Sequence, residues 1–479
     1  MLDDILITIL MCLLLAVAAH FIIPSYKHKK IYIILSLIGV ILRAASVMYL
    51  YSKGVDTFGT DGLVYHKAGL WISKQLEEGT PLYAVKYVYT LYTVLVGLIY
   101  HMLGINRYIV SYINIVFAYF SAVLLLKTAL NLRYKFSNAS FISLVFLYFP
   151  NLILWTSDSR KEALTIFICT LSCYCLQRLS KNSEASGKNV ADAVSDSEVF
   201  AHDSVITAAY KAHIKDKTHE KTEVFTAANP TKINQYEKQI QNACLILIMC
   251  ILMWLCTLIR IYMFVPMSIG ILASLFILYL KSRKQIYILF GLAVIISSVL
   301  IFFFTVCPLL ENYHAISFPD EMGDLGTDLA NKAKTIRLLA SNRNILLAAV
   351  NYFLVPYPGN TGISEINGSV ALNMAVSIDM IFWYICMLLM VPGILSAARK
   401  KESFLLGLTA FLASYIIINI LVVENVSDTI YRYRSVITGL SLLLIDHSAV
   451  ERAGSFICNA LRLHSKSKLS PNSNIKNDT

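Results

Sequence analysis

Long apolar runs separated by short polar segments dominate the chain. Eleven of these runs approach the roughly 20 residues that a helix needs to cross the hydrocarbon core of a bilayer. The pattern therefore predicts an all-α polytopic membrane protein with about 11 transmembrane helices. The predicted spans lie near residues 5–23, 31–51, 107–130, 139–156, 162–180, 242–258, 261–280, 286–305, 374–396, 403–422 and 434–448.

A twelfth apolar stretch, residues 88–104, is shorter and rich in tyrosine. We expect it to form a helix that lies in the membrane interface and does not cross. Before it, Leu63, Leu70, Ile72 and Leu76 are predicted to form an amphipathic helix with Tyr65 and Trp71, aromatics suited to the headgroup level. The first outer loop, residues 52–106, is thus predicted to carry two interfacial helices.

Polar segments divide the predicted helices into groups. Helices 1–5 fall in residues 1–180, helices 6–8 in 242–305 and helices 9–11 in 374–450. The segments outside these groups are a polar, disordered cytoplasmic insertion at 181–241, an ordered outer loop at 306–373 and a basic cytoplasmic tail at 451–479. The insertion is interpreted as a tolerated one, with a docking segment as the alternative.

Loop charge predicts the orientation. Four short loops near residues 24–30, 127–135, 281–284 and 399–402 hold 12 basic residues and one acid. The loops on the other side hold 12 basic and 14 acidic residues. By the positive-inside rule the first set is cytoplasmic, so the amino terminus is outside and the carboxyl terminus inside a cytoplasmic (inner) membrane. The assignment requires that residues 88–104 do not cross.

Composition supports the membrane class. Of 479 residues, 57% are hydrophobic and 15% charged, where a soluble protein is about half apolar and a quarter charged. The net charge of +11 is explained by the cytoplasmic loops, and no nucleic-acid partner is predicted. The 10 cysteines lie mostly in apolar runs without a CxxC pair and are interpreted as reduced packing residues.

Candidate chemistry is confined to the predicted outer loops, because no soluble-enzyme motif is present and Arg43 is the clearest charge inside a span. Asp56 and Asp61 follow the second span. Asp61 stands four residues before Tyr65, so the two share a helical face, although Asp61 also suits an N-cap. His66 is interpreted as an interfacial polar residue, and neither a cofactor nor a divalent metal is supported.

A second candidate is the hairpin Asp158-Ser159-Arg160-Lys161-Glu162 between two spans. It is either a solvated turn, with Glu162 favouring the dipole of the next helix, or a site. In the second interpretation, Arg160 and Lys161 face a lipid phosphate and Glu162 or Asp158 faces the same cavity. The sequence leaves both open.

Three arginines stand at outer span ends, where positive-inside statistics disfavour them. They are Arg260, with Tyr262 beside it, and the pair Arg432 and Arg434. An anionic group such as a lipid phosphate would explain them, because guanidinium binds phosphate in a bidentate fork. The alternative is snorkelling, or pairing with acids such as Asp428.

Five short motifs stand in the predicted outer loops and at span ends. They are Asp61-x-x-x-Tyr65-His66-x-Ala68, Leu103-Gly104, Pro150 to Glu162, Arg260-Ile261-Tyr262 and Val355-Pro356-Tyr357-Pro358-Gly359. Together they resemble the polytopic C-type glycosyltransferase (GT-C) superfamily, and within it the bacterial membrane relatives of protein mannosyltransferases and aminoarabinose transferases. The likeness spans most of residues 31–440. The proline of the family's Arg-Pro-Tyr element and the tryptophan of its Pro-Phe-Pro-Trp element are replaced here, and the usual acidic pair is not adjacent.

The resemblance implies a multi-span enzyme that takes a sugar from a polyprenyl-phosphate donor at the outer membrane face and transfers it to a lipid, glycan or protein acceptor. It implies that an acid of the first outer loop acts as the general base or orients the acceptor. Asp61 holds the matching position with Asp56 second, and because the two are not adjacent the assignment between them stays open. Glu162 matches a further acid in the next outer loop. The expected substrate-binding residues are Asp158, Lys161, Tyr65, His66, Arg260, Tyr262, Arg432 and Arg434. The alternatives are a surface-polysaccharide polymerase of O-antigen or capsule type, and a lipid-linked glycan flippase or other transporter.

Overall fold

The computed structural model describes residues 2–52, 60–82, 91–183, 230–306, 345–359, 370–422 and 427–446. Helices are the main elements of these ranges, and no strand pairs with another there. In chain order the helices are α1 (Leu2–Ile22), α2 (Lys29–Ser52), α3 (Thr60–Glu77), α4 (Leu91–Leu103), α5 (Arg107–Asn131), α6 (Phe136–Tyr148), α7 (Pro150–Ser157), α8 (Glu162–Ser183), α9 (Pro230–Ile259), α10 (Phe264–Ser282), α11 (Ile286–Ile301), α12 (Ile345–Leu354), α13 (Val370–Lys400), α14 (Ser403–Val422) and α15 (Ser427–Ser441).

Within the described ranges, nine helices are long and apolar enough to cross a membrane, or ten if the bent pair α6 and α7 forms one span. The predicted all-α polytopic membrane fold is confirmed. The predicted eleventh span, 434–448, corresponds to α15, which has 15 residues and continues only as the short 3-10 turn Leu442–Leu444. From residue 434 to 445 its residues are buried, so it is an internal helix of the bundle.

A bend of 57° separates α6 from α7. Proline at position 150 has no N–H, so the carbonyl of Phe146 loses its helical donor. The guanidinium of Arg43, from α2, supplies donors instead. It bonds the carbonyl of Phe146 at 3.3 Å, the carbonyl of Leu147, and Thr156 Oγ1 at 3.1 Å. Arg43, the clearest charge inside a predicted span, therefore caps a broken helix.

Polar side chains also join the helices of the bundle interior. Tyr32 on α2 shares a hydrogen bond of 2.7 Å with Ser143 on α6, whose hydroxyl in turn donates to the carbonyl of Ala122 on α5 at 2.7 Å. Such interhelical hydrogen bonds are typical of helices that pack in lipid. The outward faces of α1 and α11, by contrast, carry exposed leucine, isoleucine and phenylalanine side chains.

Helices α3 and α4 form a separate hairpin-like pair beside the bundle. They approach closely because Gly69 and Gly97 lie at the contact: a Cβ on Gly97 would stand 2.4 Å from Ile72 and 3.2 Å from the carbonyl oxygen of Gly69. Helix α4 has only 13 residues, too few to cross a bilayer. The two helices predicted for the first outer loop are both present, and they position the aromatic residues described next.

Candidate functional site at one end of the helix bundle

The turn between α7 and α8 is buried. Asp158 is 4% exposed, Arg160 1% and Glu162 0%. Asp158 accepts hydrogen bonds from the Ser159 N–H at 2.7 Å and from Arg160 Nε at 2.8 Å. Asn114 on α5 donates to the carbonyl of Arg160 at 2.8 Å. Burial raises the pKa of the Asp158 carboxyl, and the charge of Arg160 opposes that rise. The solvated-turn interpretation is therefore wrong.

Glu162, the first residue of α8, joins three distant parts of the chain. Its Oε1 accepts a hydrogen bond from Arg260 Nη2 at 2.6 Å and another from Arg432 Nε. Arg260 Nη1 also donates to the hydroxyl of Tyr262 at 2.9 Å. The Oε2 atom of Glu162 is buried and accepts no hydrogen bond from any described residue. One carboxylate oxygen of Glu162 thus holds two guanidinium groups, whereas the other oxygen has no donor among the described residues.

Aromatic rings hold the cations of this site in place. The guanidinium of Arg160 lies 4.8 Å from the ring centre of Trp155, and that of Arg432 lies 6.0 Å from the same ring. Arg260 stands 4.7 Å from the ring of Tyr433. These distances fall within the range of cation–π attraction. The cations are therefore fixed from two sides, by carboxylates and by rings.

The α3–α4 pair lies against this turn. The Lys161 ammonium is 5.9 Å from the ring of Tyr65, which packs edge-on against Tyr92 at 5.1 Å between ring centres. Asn114 Nδ2 donates to the Tyr92 hydroxyl at 3.0 Å. His66 Nδ1 and the Tyr100 hydroxyl are 2.9 Å apart. The structure thus brings Tyr65 of the first loop to the second predicted site, a contact that the sequence did not predict.

We call Asp158, Arg160, Lys161, Glu162, Arg260 and Arg432 the Glu162 cluster. It holds four basic groups against two carboxylates, an excess of two positive charges. The side chain of Arg432 is 14% exposed while that of Glu162 is 0% exposed, so Arg432 is the arginine on the accessible side. An excess of partly buried guanidinium and ammonium groups favours an anionic ligand, and phosphate most of all.

Arg434 is not part of this cluster. Two residues beyond Arg432, it faces the opposite side of α15 and is 1% exposed. Its Nη1 donates to Met380 Sδ at 3.4 Å, and its guanidinium lies 5.5 Å from the Trp383 ring. Its Nε and Nη2 atoms bond no described residue. Asp379, the nearby acid on α13, accepts instead from the N–H of Asn151 at 3.5 Å.

The structure describes the two leading catalytic candidates, Asp56 and Asp61, only in part. Asp56 lies outside the described residues. Asp61 is the second residue of α3, one turn before Tyr65. Its backbone is described but its side chain is not. Among the described residues, no group of three histidine, cysteine or acidic side chains is arranged to hold a metal ion.

Two buried polar residues escaped the sequence analysis. Asn114 stands in the apolar run of α5, and Asp379 stands in the apolar run of α13. A polar or acidic residue inside a predicted span is itself a signal of function or of a helix contact. Applied to every span, that rule would have found both residues.

Comparison with protein-family models, with curated proteins and with solved structures gives no match for this chain.

Proposed function

We propose that the chain is a membrane glycosyltransferase. It moves a sugar from a polyprenyl-phosphate-linked donor to a lipid, glycan or protein acceptor at the outer face of the cytoplasmic membrane. The observation that carries the proposal is the Glu162 cluster, because transfer of the sugar leaves negative charge on the lipid phosphate. Fixed cations with an excess of two positive charges stabilise such charge as it develops.

The position of the cluster supports a substrate embedded in lipid. The Glu162 cluster joins the turn after α7, the start of α8, the junction of α9 and α10, and α15. A polyprenyl phosphate keeps its hydrocarbon chain in the bilayer and its phosphate at the headgroup level. The end of a helix bundle is where cations meet that phosphate without entering the hydrocarbon core.

We assign different roles to the acids. Glu162 binds two guanidinium groups through one oxygen, an arrangement that keeps the carboxylate ionised and makes it a poor base. Glu162 therefore acts as a positioning residue for Arg260 and Arg432. The general base that activates the acceptor hydroxyl is then Asp61, which the backbone of α3 carries one turn from Tyr65.

The proposal is tested in cells that lack the gene and are complemented with variants. Mass spectrometry compares the surface glycans and the lipid-linked sugars of each strain. Cells with no protein, or with Asp61→Asn, are expected to lack one sugar substituent and to accumulate the polyprenyl-linked donor. Glu78→Gln, an exposed acid just after α3, is the matched control and should restore the glycan fully. Wild-type glycans in the Asp61→Asn strain, at equal expression, would contradict the proposal.

A surface-polysaccharide polymerase is the second candidate, favoured by the same arginines. It predicts a different product pattern: glycan chains of one repeat unit rather than full chains lacking one substituent. It also predicts that Arg432→Gln abolishes activity whereas Asp61→Asn retains it. A flippase predicts neither pattern, since its loss traps complete lipid-linked glycans inside the cell. The same mass spectra separate these three outcomes.

A further inference from the structure

A polar cavity lies far from the Glu162 cluster. It has a volume of about 30 Å³ and is lined by the end of α8, by one face of α9 and by the start of α11. A space of this size has room for about two ordered waters, or for the ligand oxygens that would replace them. The residues that matter are Asn182, Lys238, Asn242, Lys284 and Phe290.

The cavity and the Glu162 cluster mark opposite ends of the same helix. Helix α8 begins at Glu162 and is described to Ser183. At about 1.5 Å per residue these ends are about 30 Å apart, close to the thickness of the hydrocarbon core. In a bundle that crosses a membrane, the cavity therefore lies at the headgroup level of the other leaflet.

The lining favours an anion. Lys238 and Lys284 are both half-buried at the cavity, and none of its described lining residues carries a carboxylate. The Asn182 amide donates to Asn242 Oδ1 at 3.1 Å, which fixes both side chains. Helix α11 also begins here with Ile286, so the positive end of its dipole adds to the charge of the lysines.

We infer that this cavity binds a phosphate group, contributed by the headgroup of an anionic phospholipid or by a free phosphate compound. Two lysines, fixed amides and a helix start are the donors that phosphate uses. Ile286 and Phe290 give the cavity an apolar side that suits the first carbons of an acyl chain. This site is independent of the Glu162 cluster and of the function proposed for it.

The test titrates the purified full-length protein with phosphatidylglycerol in detergent and counts retained lipids by native mass spectrometry. Each lysine near a headgroup contributes about a fivefold change in affinity, so Lys238→Gln with Lys284→Gln should weaken binding about 25-fold. The control pair, Lys281→Gln with Lys400→Gln, removes the same charge from exposed positions outside the cavity. It should bind like the wild type. Thermal melting and size-exclusion profiles confirm that each variant folds.

The outcomes separate the two sources of the phosphate. Selective loss of phosphatidylglycerol in the cavity variant, with phosphatidylcholine unaffected, supports the phospholipid. A free phosphate compound is supported if inorganic phosphate raises the melting temperature of the wild type and not of the cavity variant, while the lipid titrations agree. Equal lipid affinity and equal phosphate response in all three proteins, or an equal loss in the control pair, would overturn the site.

Discussion

Arg260 and Arg432 share one carboxylate oxygen but have different surroundings. Arg260 is 3% exposed, bonds Tyr262 as well as Glu162, and lies on the ring of Tyr433. The side chain of Arg432 is 14% exposed. Loss of one partner of a buried ion pair is strongly destabilising, because it leaves the other charge without compensation. Substitution of Arg260 should therefore affect mainly the stability of the protein, and substitution of Arg432 mainly the binding of an anionic substrate.

Arg260→Met is expected to lower the free energy of unfolding by about 3–5 kcal/mol, since it removes a buried partner of Glu162. Arg432→Lys keeps the charge but loses the guanidinium fork, so it should unfold near the wild-type temperature while losing most of the proposed glycan-modifying activity. Thermal unfolding in detergent and the complementation assay measure the two effects. The assignment of roles fails if Arg260→Met is as stable as the wild type.

Arg434 offers the same substitution in a different setting. It forms no ion pair with any described residue, and its firmest contacts are the sulfur of Met380 and the ring of Trp383. A buried charge without an ion-pair partner carries a desolvation penalty of several kcal/mol, which an apolar side chain of similar volume removes. Arg434→Met should therefore melt at or above the wild-type temperature. A large drop in the melting temperature would show that Asp379 depends on this charge.

At the scale of helices, glycine contacts decide how closely α10 and α14 pack. A Cβ on Gly407 would stand 2.7 Å from the carbonyl oxygen of Gly270 and 1.8 Å from the hydroxyl of Ser274. Ser274 also donates to the carbonyl of Ser403 across this contact at 2.9 Å. Small residues four apart on a helix let two backbones approach in lipid. The distance between α10 and α14 is therefore set by a contact with backbone. A side chain added at Gly407 would clash with that backbone, and no rotamer change could remove the clash.

Gly407→Val should force α10 and α14 apart and lower the melting temperature of the protein by several degrees, because the clash is with backbone. Gly291→Ala is the matched control. A Cβ at Gly291 on α11 would meet only Leu272 at 3.9 Å, and alanine favours a helix interior by about 1 kcal/mol over glycine. This control should melt at or slightly above the wild-type temperature. Equal melting temperatures of the two variants would show that close packing of α10 and α14 does not determine the stability of the protein.

Most helices follow from hydrophobicity alone, and the exceptions have local causes. The span predicted at 139–156 is broken because Pro150 cannot continue the hydrogen bonds of α6. The span predicted at 434–448 corresponds to the buried helix α15, in which Arg432 bonds Glu162. Length and apolarity predict a helix, but they do not distinguish one that faces lipid from one that is covered by neighbours.

The site could be predicted only as separate pieces. The sequence indicates that Glu162, Arg260 and Arg432 are unusual, since each is a charge at a predicted span end. It does not show that they meet, because 98 residues separate the first two and 270 separate Glu162 from Arg432. Nor does the sequence show that Arg434 lies outside the Glu162 cluster, because that depends on which side of α15 faces α13. Such contacts come from tertiary packing, which spacing along the chain does not encode.

The orientation of the whole molecule remains a prediction, drawn from the four short basic loops that the positive-inside rule assigns to the cytoplasm. It places position 57 and the exposed Glu78 outside, and position 210 and the exposed Lys400 inside. Single cysteines at these four positions, in a variant whose ten native cysteines are replaced, should report the side. A membrane-impermeant maleimide should label positions 57 and 78 in intact cells. Positions 210 and 400 should label only after permeabilisation, because the membrane separates them from the reagent.

The labelling also decides whether the proposed chemistry can occur. Glu78 follows α3, whose Tyr65 contacts Lys161 of the Glu162 cluster. If position 78 labels from outside, the Glu162 cluster is on the side where polyprenyl-linked sugars are used by the proposed enzyme. If position 78 is protected in intact cells while position 400 is labelled, the bundle is inverted. The Glu162 cluster would then face the cytoplasm, and transfer at the outer face would be excluded.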